Sequence, residues 1–153
     1  IGVEIVDEMI NYARKFNSGK YLKFEKKDIT TFKFKKSDLI FSFYTLQFID
    51  HENRKKVLKK VYNSLHSGGA FIFSEKILSK YSKNQSINND IYSTWKVSQG
   101  FSNTEVAQKT KSLRGVLNPN TSDTNMKLLR KAGFKNIEVI TQYLNFQTIL
   151  AIK

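Results

Sequence analysis

Residues 39–76 read LIFSFYTLQFIDHENRKKVLKKVYNSLHSGGAFIFSEK, and this stretch decides the fold. Leu39-Ile40-Phe41-Ser42-Phe43-Tyr44 is nearly all apolar, the pattern of a parallel strand covered on both faces. Asp50 is a good N-cap for a helix whose apolar stripe is Val57, Leu58, Val61, Tyr62 and Leu65. Ser67-Gly68-Gly69 ends that helix, since glycine takes a left-handed cap without a Cβ clash. Ala70-Phe71-Ile72-Phe73 is then a second buried strand, reaching Glu75. Strand, helix and strand of this kind build a parallel crossover unit.

The same alternation extends upstream. Ile1 to Ile5 is a short apolar strand, and from Asp7 the pattern turns helical, with Met9, Ile10 and Ala13 on one face. Asn17-Ser18-Gly19 stops that helix, and Tyr21 to Glu25 alternates as a strand running into Asp28. Downstream, Leu78 to Asp90 is polar and weakly patterned, an insertion or a helical lid. Ile91 to Val97 and Asn103 to Leu117 read as helices. Thr121 or Ser122 caps a last helix stopped by Gly133, and Ile137 to Tyr143 with Phe146 to Ile152 form a closing hairpin. The expected architecture is one α/β domain over residues 1–153, a doubly wound sheet that is mostly parallel with its last strand antiparallel, and a helical insertion at about 78–118. A chain opening on Ile1-Gly2-Val3 reads as starting inside a buried strand, so the expectation is the C-terminal part of a longer protein whose first strand precedes it.

Composition narrows the function classes. The 153 residues carry 26 Lys+Arg against 13 Asp+Glu, a formal net charge of +13. Only four of the basic residues are Arg, and Lys is a mobile point charge without the two-pronged fork that reads phosphates and bases. A generic solvated Lys surface is the better reading, with weak attraction to RNA or anionic substrates allowed. Twelve Phe and seven Tyr supply a core and exclude a disordered chain. With no Cys there is no disulfide scaffold, thiolate metal site or Cys nucleophile, which suits a reducing cytosol. No apolar run approaches the roughly 20 residues that span a bilayer.

In doubly wound sheets ligands sit beyond the carboxyl ends of the strands. Glu4 ends the first strand, where a carboxylate can accept both ribose hydroxyls or simply cap the next helix. Asp28 follows the next strand, where it can accept from an adenine amino group or serve as a turn residue. Together they point to an adenosine-containing cofactor, although the G-x-G-x-x-G phosphate fingerprint is absent. His51 and His66 lack metal-ligand spacing, and no metal site is expected. Ser42, Ser74 and Thr45 have no nucleophile elbow. Tyr92 and Trp95 suit lid packing better than ligand stacking. Lys109, Lys111 and Arg114 form either an anion-holding cluster or a wet helix face.

The order of segments resembles class I S-adenosylmethionine-dependent methyltransferases. Glu4 followed by Asp7-Glu8-Met9-Ile10, the turn Leu65-His66-Ser67-Gly68-Gly69-Ala70, and Lys131-Ala132-Gly133-Phe134 carry that likeness. Four further motifs are more specific: Tyr44-Thr45-Leu46-Gln47-Phe48, Ser74-Glu75-Lys76, Gly100-Phe101-Ser102 followed by Gln108-Lys109, and Tyr143-Leu144-Asn145-Phe146. In this order they are similar to the carboxy-S-adenosylmethionine synthase family, across essentially the whole chain.

The resemblance implies an enzyme that converts S-adenosylmethionine and prephenate into carboxy-S-adenosylmethionine and phenylpyruvate, as a homodimer in the bacterial cytoplasm, for tRNA wobble-uridine modification. It implies cofactor contacts from Glu4 and Ile5 at the ribose, from Asp28 and Ile29 at the adenine, and from Phe43 and Tyr44 near the methionine moiety. Two positions depart from the family pattern. Phe43 stands where Asn is frequent, and Thr110 stands where an Arg clamps the carboxylate across the dimer interface. Thr cannot supply a charged fork, so Lys109, Lys111 or Arg114 would have to reach the same anion. That loss leaves open an ordinary methyltransferase of unknown acceptor, and the basic charge leaves open a non-catalytic tRNA- or nucleotide-binding module.

Overall fold

The computed structural model describes residues 1–153 and divides them into two compact units, residues 1–35 and 36–153. In the first, β1 (Gly2–Glu4) pairs in parallel with β2 (Phe24–Lys26), joined by α1 (Asp7–Asn17). Asp7 and Glu8 lie in the first turn of α1 and Arg14 and Lys15 in its last, each sign matching the helix dipole. Lys26 pairs with Asp7, and the Arg14 side chain donates to the Phe24 carbonyl, so α1 is tied to β2 at both ends. Gly2 is required where it is: a Cβ there would lie 2.5 Å from the Phe24 ring. Ile10 is the one fully buried apolar side chain of this unit.

The second unit contains β3 (Ser37–Phe43), α2 (His51–Ser64), β4 (Leu65–Lys76), α3 (Ser82–Ser98), α4 (Asn103–Ser112), α5 (Ser122–Ala132), β5 (Asn136–Tyr143) and β6 (Phe146–Ile152). Its sheet order is β3-β4-β6-β5, with β3 parallel to β4 and β6 antiparallel to both its neighbours. Strands β3, β4 and β5 therefore run one way and the last strand alone runs the other, the α/β arrangement expected from the sequence.

The core lies on one face of this sheet. Phe71 and Phe73 of β4 stack at 5.7 Å between ring centroids, and Phe134 stacks on Phe71 at 6.0 Å. Val57, Leu58 and Val61 of α2, Leu129 and Ala132 of α5, and Ile149 and Ala151 of β6 are all buried with them. Two sequence expectations change here. The helix before the glycines ends at Ser64, and Leu65 to Gly69 already belongs to β4; Gly68 still takes the left-handed conformation (φ +77°), where its N–H donates to the Lys153 carbonyl. The expectation that Leu39 to Tyr44 is covered on both faces also fails: Leu39, Phe41 and Phe43 alternate onto one face of β3, and Phe41 there is 63% exposed.

Candidate functional site

The carboxyl ends of β3 and β4 open into a cavity of about 590 Å³ within residues 36–153. Its base is the segment that follows β3. Tyr44 takes a left-handed backbone conformation (φ +51°), which is uncommon for a bulky residue, and its N–H donates to the Ser74 carbonyl at 2.8 Å. That bend turns the chain out of the sheet and leads into the 3-10 turn Leu46–Phe48. Such conformations persist only where their surroundings hold them.

The buried Glu75 does that holding. Its carboxylate accepts the Leu46 N–H at 3.1 Å, and the neighbouring Thr45 and Gln47 amides also favour its charged form. Burial is the larger influence and pushes the Glu75 carboxyl up to about 8, against the opposing pull of the Arg54 guanidinium. Arg54, itself buried, donates to the carbonyls of Ile49 (2.9 Å) and Asn118 (2.8 Å), tying the loop after β3 to the segment before α5. Gln47 adds a second tie, its side-chain oxygen accepting the Lys76 N–H at 2.8 Å and its carbonyl the Asn118 N–H at 2.8 Å. Asp50 caps α2 through the Asn53 N–H, as its position in the sequence predicts.

The walls are aromatic and cationic. Tyr92 packs edge-on to Phe146 at 4.9 Å, and Tyr44 meets Phe146 at 5.8 Å. Lys76, Lys96, Lys109 and Arg114 line the cavity, and no Asp or Glu does. Burial lowers the Lys76 ammonium and Lys96 lowers it further; Lys96 is lowered by burial and then by Lys109. The cations thus repel one another without a neutralising carboxylate among the cavity residues. Such a surface attracts an anion.

The sequence candidates fall into place unevenly. Lys109, Thr110, Arg114 and Tyr44 line the cavity, whereas Lys111 and the 71% exposed Phe43 do not. The Thr110 hydroxyl donates to the Val106 carbonyl at 2.9 Å, within its own helix. In residues 1–35, one Glu4 oxygen accepts the N–H groups of Ile5 (2.7 Å) and Val6 (2.9 Å), in the turn that leads into α1, and the other takes no hydrogen bond. Asp28 holds a turn through the N–H and hydroxyl of Thr30, with Ile29 half-buried between them. His66 pairs with Asp38 at 2.9 Å, and Trp95 stacks on Tyr92 at 5.9 Å. Lys76 and Lys96 are the site residues the sequence reading missed. The available signals were the Ser74-Glu75-Lys76 motif and the one-turn spacing of Tyr92 and Lys96 on α3.

Comparison with known proteins bears on the family and the fold. A methyltransferase-domain family model matches residues 1–73. The chain is 42% identical over 132 residues to the carboxy-S-adenosyl-L-methionine synthase of Staphylococcus epidermidis, covering 86% of this chain and 58% of that protein. It is 36% identical over 154 residues to the synthase of Campylobacter lari, covering 99% and 66%, and 39% identical over 157 residues to that of Nautilia profundicola, covering 100% and 66%. The chain thus spans 58% to 66% of the length of these curated relatives. Among solved structures, human N-acetylserotonin methyltransferase in complex with SAM superposes with a TM-score of 0.65 at 17% identity, over 97% of this chain and 39% of that one. A Thermotoga maritima SAM-dependent methyltransferase gives 0.63 at 20% identity, over 100% and 72%. On this sequence similarity and this sheet order, the chain belongs to the carboxy-S-adenosyl-L-methionine synthase family, built on the class I methyltransferase fold.

Proposed function

We propose that the whole protein is a carboxy-S-adenosyl-L-methionine synthase, taking S-adenosylmethionine and prephenate to carboxy-S-adenosylmethionine and phenylpyruvate. The observation that carries this reading is the cavity at the ends of β3 and β4, which combines four aromatic rings with four cations and no carboxylate. A ring acid that gives up carbon dioxide requires both features. In the balanced reaction the ring acid loses carbon dioxide and hydroxide as it aromatises. The sulfonium methyl gives its proton to the hydroxide, forming water, and its carbon bonds to the carbon dioxide.

Within residues 36–153 we assign Tyr44, with Phe43 beside it, to the methionine end, and Lys109 and Arg114 to the carboxylate. Thr110 contributes no charge, and its hydroxyl is engaged within α4. Within residues 1–35 we assign Glu4 and Ile5 to the ribose and Asp28 and Ile29 to the adenine. The free Glu4 oxygen suits a hydroxyl donor. No helix is long and apolar enough to cross a membrane. The reading includes a homodimer in the bacterial cytoplasm whose product feeds tRNA modification, supported by the family resemblance.

Thr110 favours a second reading, an ordinary methyltransferase on the same scaffold, because the family's charged fork is missing there. Mass spectrometry of the nucleotide that co-purifies with the full-length protein separates the two. Carboxy-S-adenosylmethionine, also formed on addition of prephenate, is the expected result; S-adenosylmethionine or its demethylated product alone overturns the synthase reading.

A further inference from the structure

Arg54 is the largest fully buried side chain of this chain, and it does not line the cavity. Burial works against its charge, which Glu75 and Asp50 favour, and its Nε N–H is buried without an acceptor. For packing alone, an apolar side chain of similar volume would serve as well. What the guanidinium adds is a bridge: Nη2 donates to the Ile49 carbonyl at 2.9 Å and to the Asn118 carbonyl at 2.8 Å. The two carbonyls belong to two segments that line the cavity. One is the loop after β3, with Tyr44, Gln47 and Phe48; the other follows α4 as far as Pro119 and carries Arg114. The first segment is anchored on β4, through the Tyr44 N–H on the Ser74 carbonyl, the Leu46 N–H on Glu75, and the Lys76 N–H on Gln47. The second begins as a turn closed on itself, with the Val116 and Leu117 N–H groups on the Leu113 carbonyl and Gly115 at φ +72°. It joins the first segment at Asn118, whose N–H donates to the Gln47 carbonyl at 2.8 Å and whose carbonyl takes the Arg54 bond.

We propose that Arg54 is a positioning residue for Arg114: by bridging Ile49 and Asn118 it fixes the turn that holds Arg114 at the cavity wall, and so sets the affinity for an anionic substrate that it does not touch. The inference rests on the reading of Lys109 and Arg114 as the groups that meet the substrate's carboxylate. It adds what keeps one of them in place. A cation held at the wall before the anion arrives binds it without the entropic cost of ordering the turn. Arginine suits the task because its N–H groups lie in a rigid plane, so the two carbonyls are held at a fixed angle to each other.

The test uses the full-length protein with S-adenosylmethionine and prephenate, product formation being followed by mass spectrometry. Arg54→Met keeps the bulk and removes the bridge, and Glu75, which holds its proton at pH 7, is not left as a lone buried charge. The variant is expected to raise the KM for prephenate about tenfold, the scale of one charge-assisted contact, with kcat and the KM for S-adenosylmethionine within about twofold. In an Arg114→Met background the same substitution should change the prephenate KM by less than about twofold, because both act through one group. A loss confined to kcat, as a smaller folded fraction would give, overturns the proposal, and so do two substitutions whose effects multiply. Hydrogen exchange supplies a readout without substrate. The Asn118 amide should exchange about tenfold faster in Arg54→Met while the core amides of Phe73 and Ile149 stay within about twofold; equal Asn118 protection in the two proteins overturns the bridge. Arg54→Gln, uncharged and of shorter reach, takes the same measurements if Arg54→Met does not fold. A wild type that forms no carboxy-S-adenosylmethionine overturns the synthase reading alone, and phenylacetate titrated calorimetrically then replaces prephenate. An affinity about tenfold weaker in Arg54→Met, with no such loss in the Arg114→Met background, supports the proposal, and equal affinity in wild type and Arg54→Met overturns it.

Discussion

At the scale of single residues, the site depends on a buried carboxylate that the cavity never sees. Glu75 is 3% exposed, and its carboxyl titrates at about 8 when folded against an ordinary 4.5. Between those values the unfolded chain has released the proton and the folded chain keeps it, so stability is full below about 4.5 and declines until the pH passes about 8. The expected outcome is a melting temperature that falls from pH 5 to pH 8 in the wild type and stays nearly level in Glu75→Gln. The Gln amide oxygen can still accept the Leu46 N–H but carries no charge to bury. Thermal melts followed by circular dichroism measure this, and equal slopes in the two proteins would remove Glu75 as the cause.

At the scale of elements, two helix ends carry measurable stability. Helix α4, which carries Lys109, opens on a capping box. The Ser102 hydroxyl accepts the Glu105 N–H at 3.2 Å, and the Glu105 carboxylate accepts the Ser102 N–H at 2.8 Å. No side chain of α4 is fully buried, so packing does little to replace that cap. Ser102→Ala should lower stability by about 1 kcal/mol and weaken anion binding at the cavity, read by urea denaturation and by titration. At the end of α5, Gly133 has φ +125°, and a Cβ there would come within 2.7 Å of the Tyr62 ring. Gly133→Ala combines backbone strain with a clash against a core ring, and should cost about 2–3 kcal/mol. A denaturation midpoint unchanged from wild type would contradict the close approach.

At the scale of the whole molecule, the two compact units differ in what they bury. Residues 1–35 rest on strands of three residues each and on Ile10, whereas residues 36–153 bury Phe71, Phe73, Phe134, Ile149 and their helical partners. Segments below about 40 residues rarely sustain a fold of their own. Hydrogen exchange measured on the 153-residue chain should therefore show the slowest amides in the central strands β4 and β6 and fast exchange through β1 and β2. Uniform protection across both units would show that residues 1–35 are held by more than their own contacts. The net charge of +13 is carried mostly by lysines spread over the surface, and the four in the cavity include only one Arg.

The sequence by itself determined the order and type of the elements, because apolar periodicity and cap residues are local signals. The strand from Leu39, the Asp50 cap, the Thr121 cap, the stop at Gly133 and the closing hairpin are all where local chemistry puts them. It also marked Tyr44, Lys109 and Arg114 through motif and spacing. It overran the helix before Gly68 because the pairing of Leu65 with Ser37 is a contact 28 residues away in the chain, which no local pattern reports. Tertiary structure alone decided which cations share a space. Lys76 and Lys96 are separated by the loop before α3 and most of that helix, and only folding brings both over the ring of Tyr92. The same holds for Glu75 and Arg54: each reads as an ordinary polar residue in the sequence, and burial gives each its role. Charge in water is nearly independent of its neighbours, whereas charge inside a fold depends on every group packed around it.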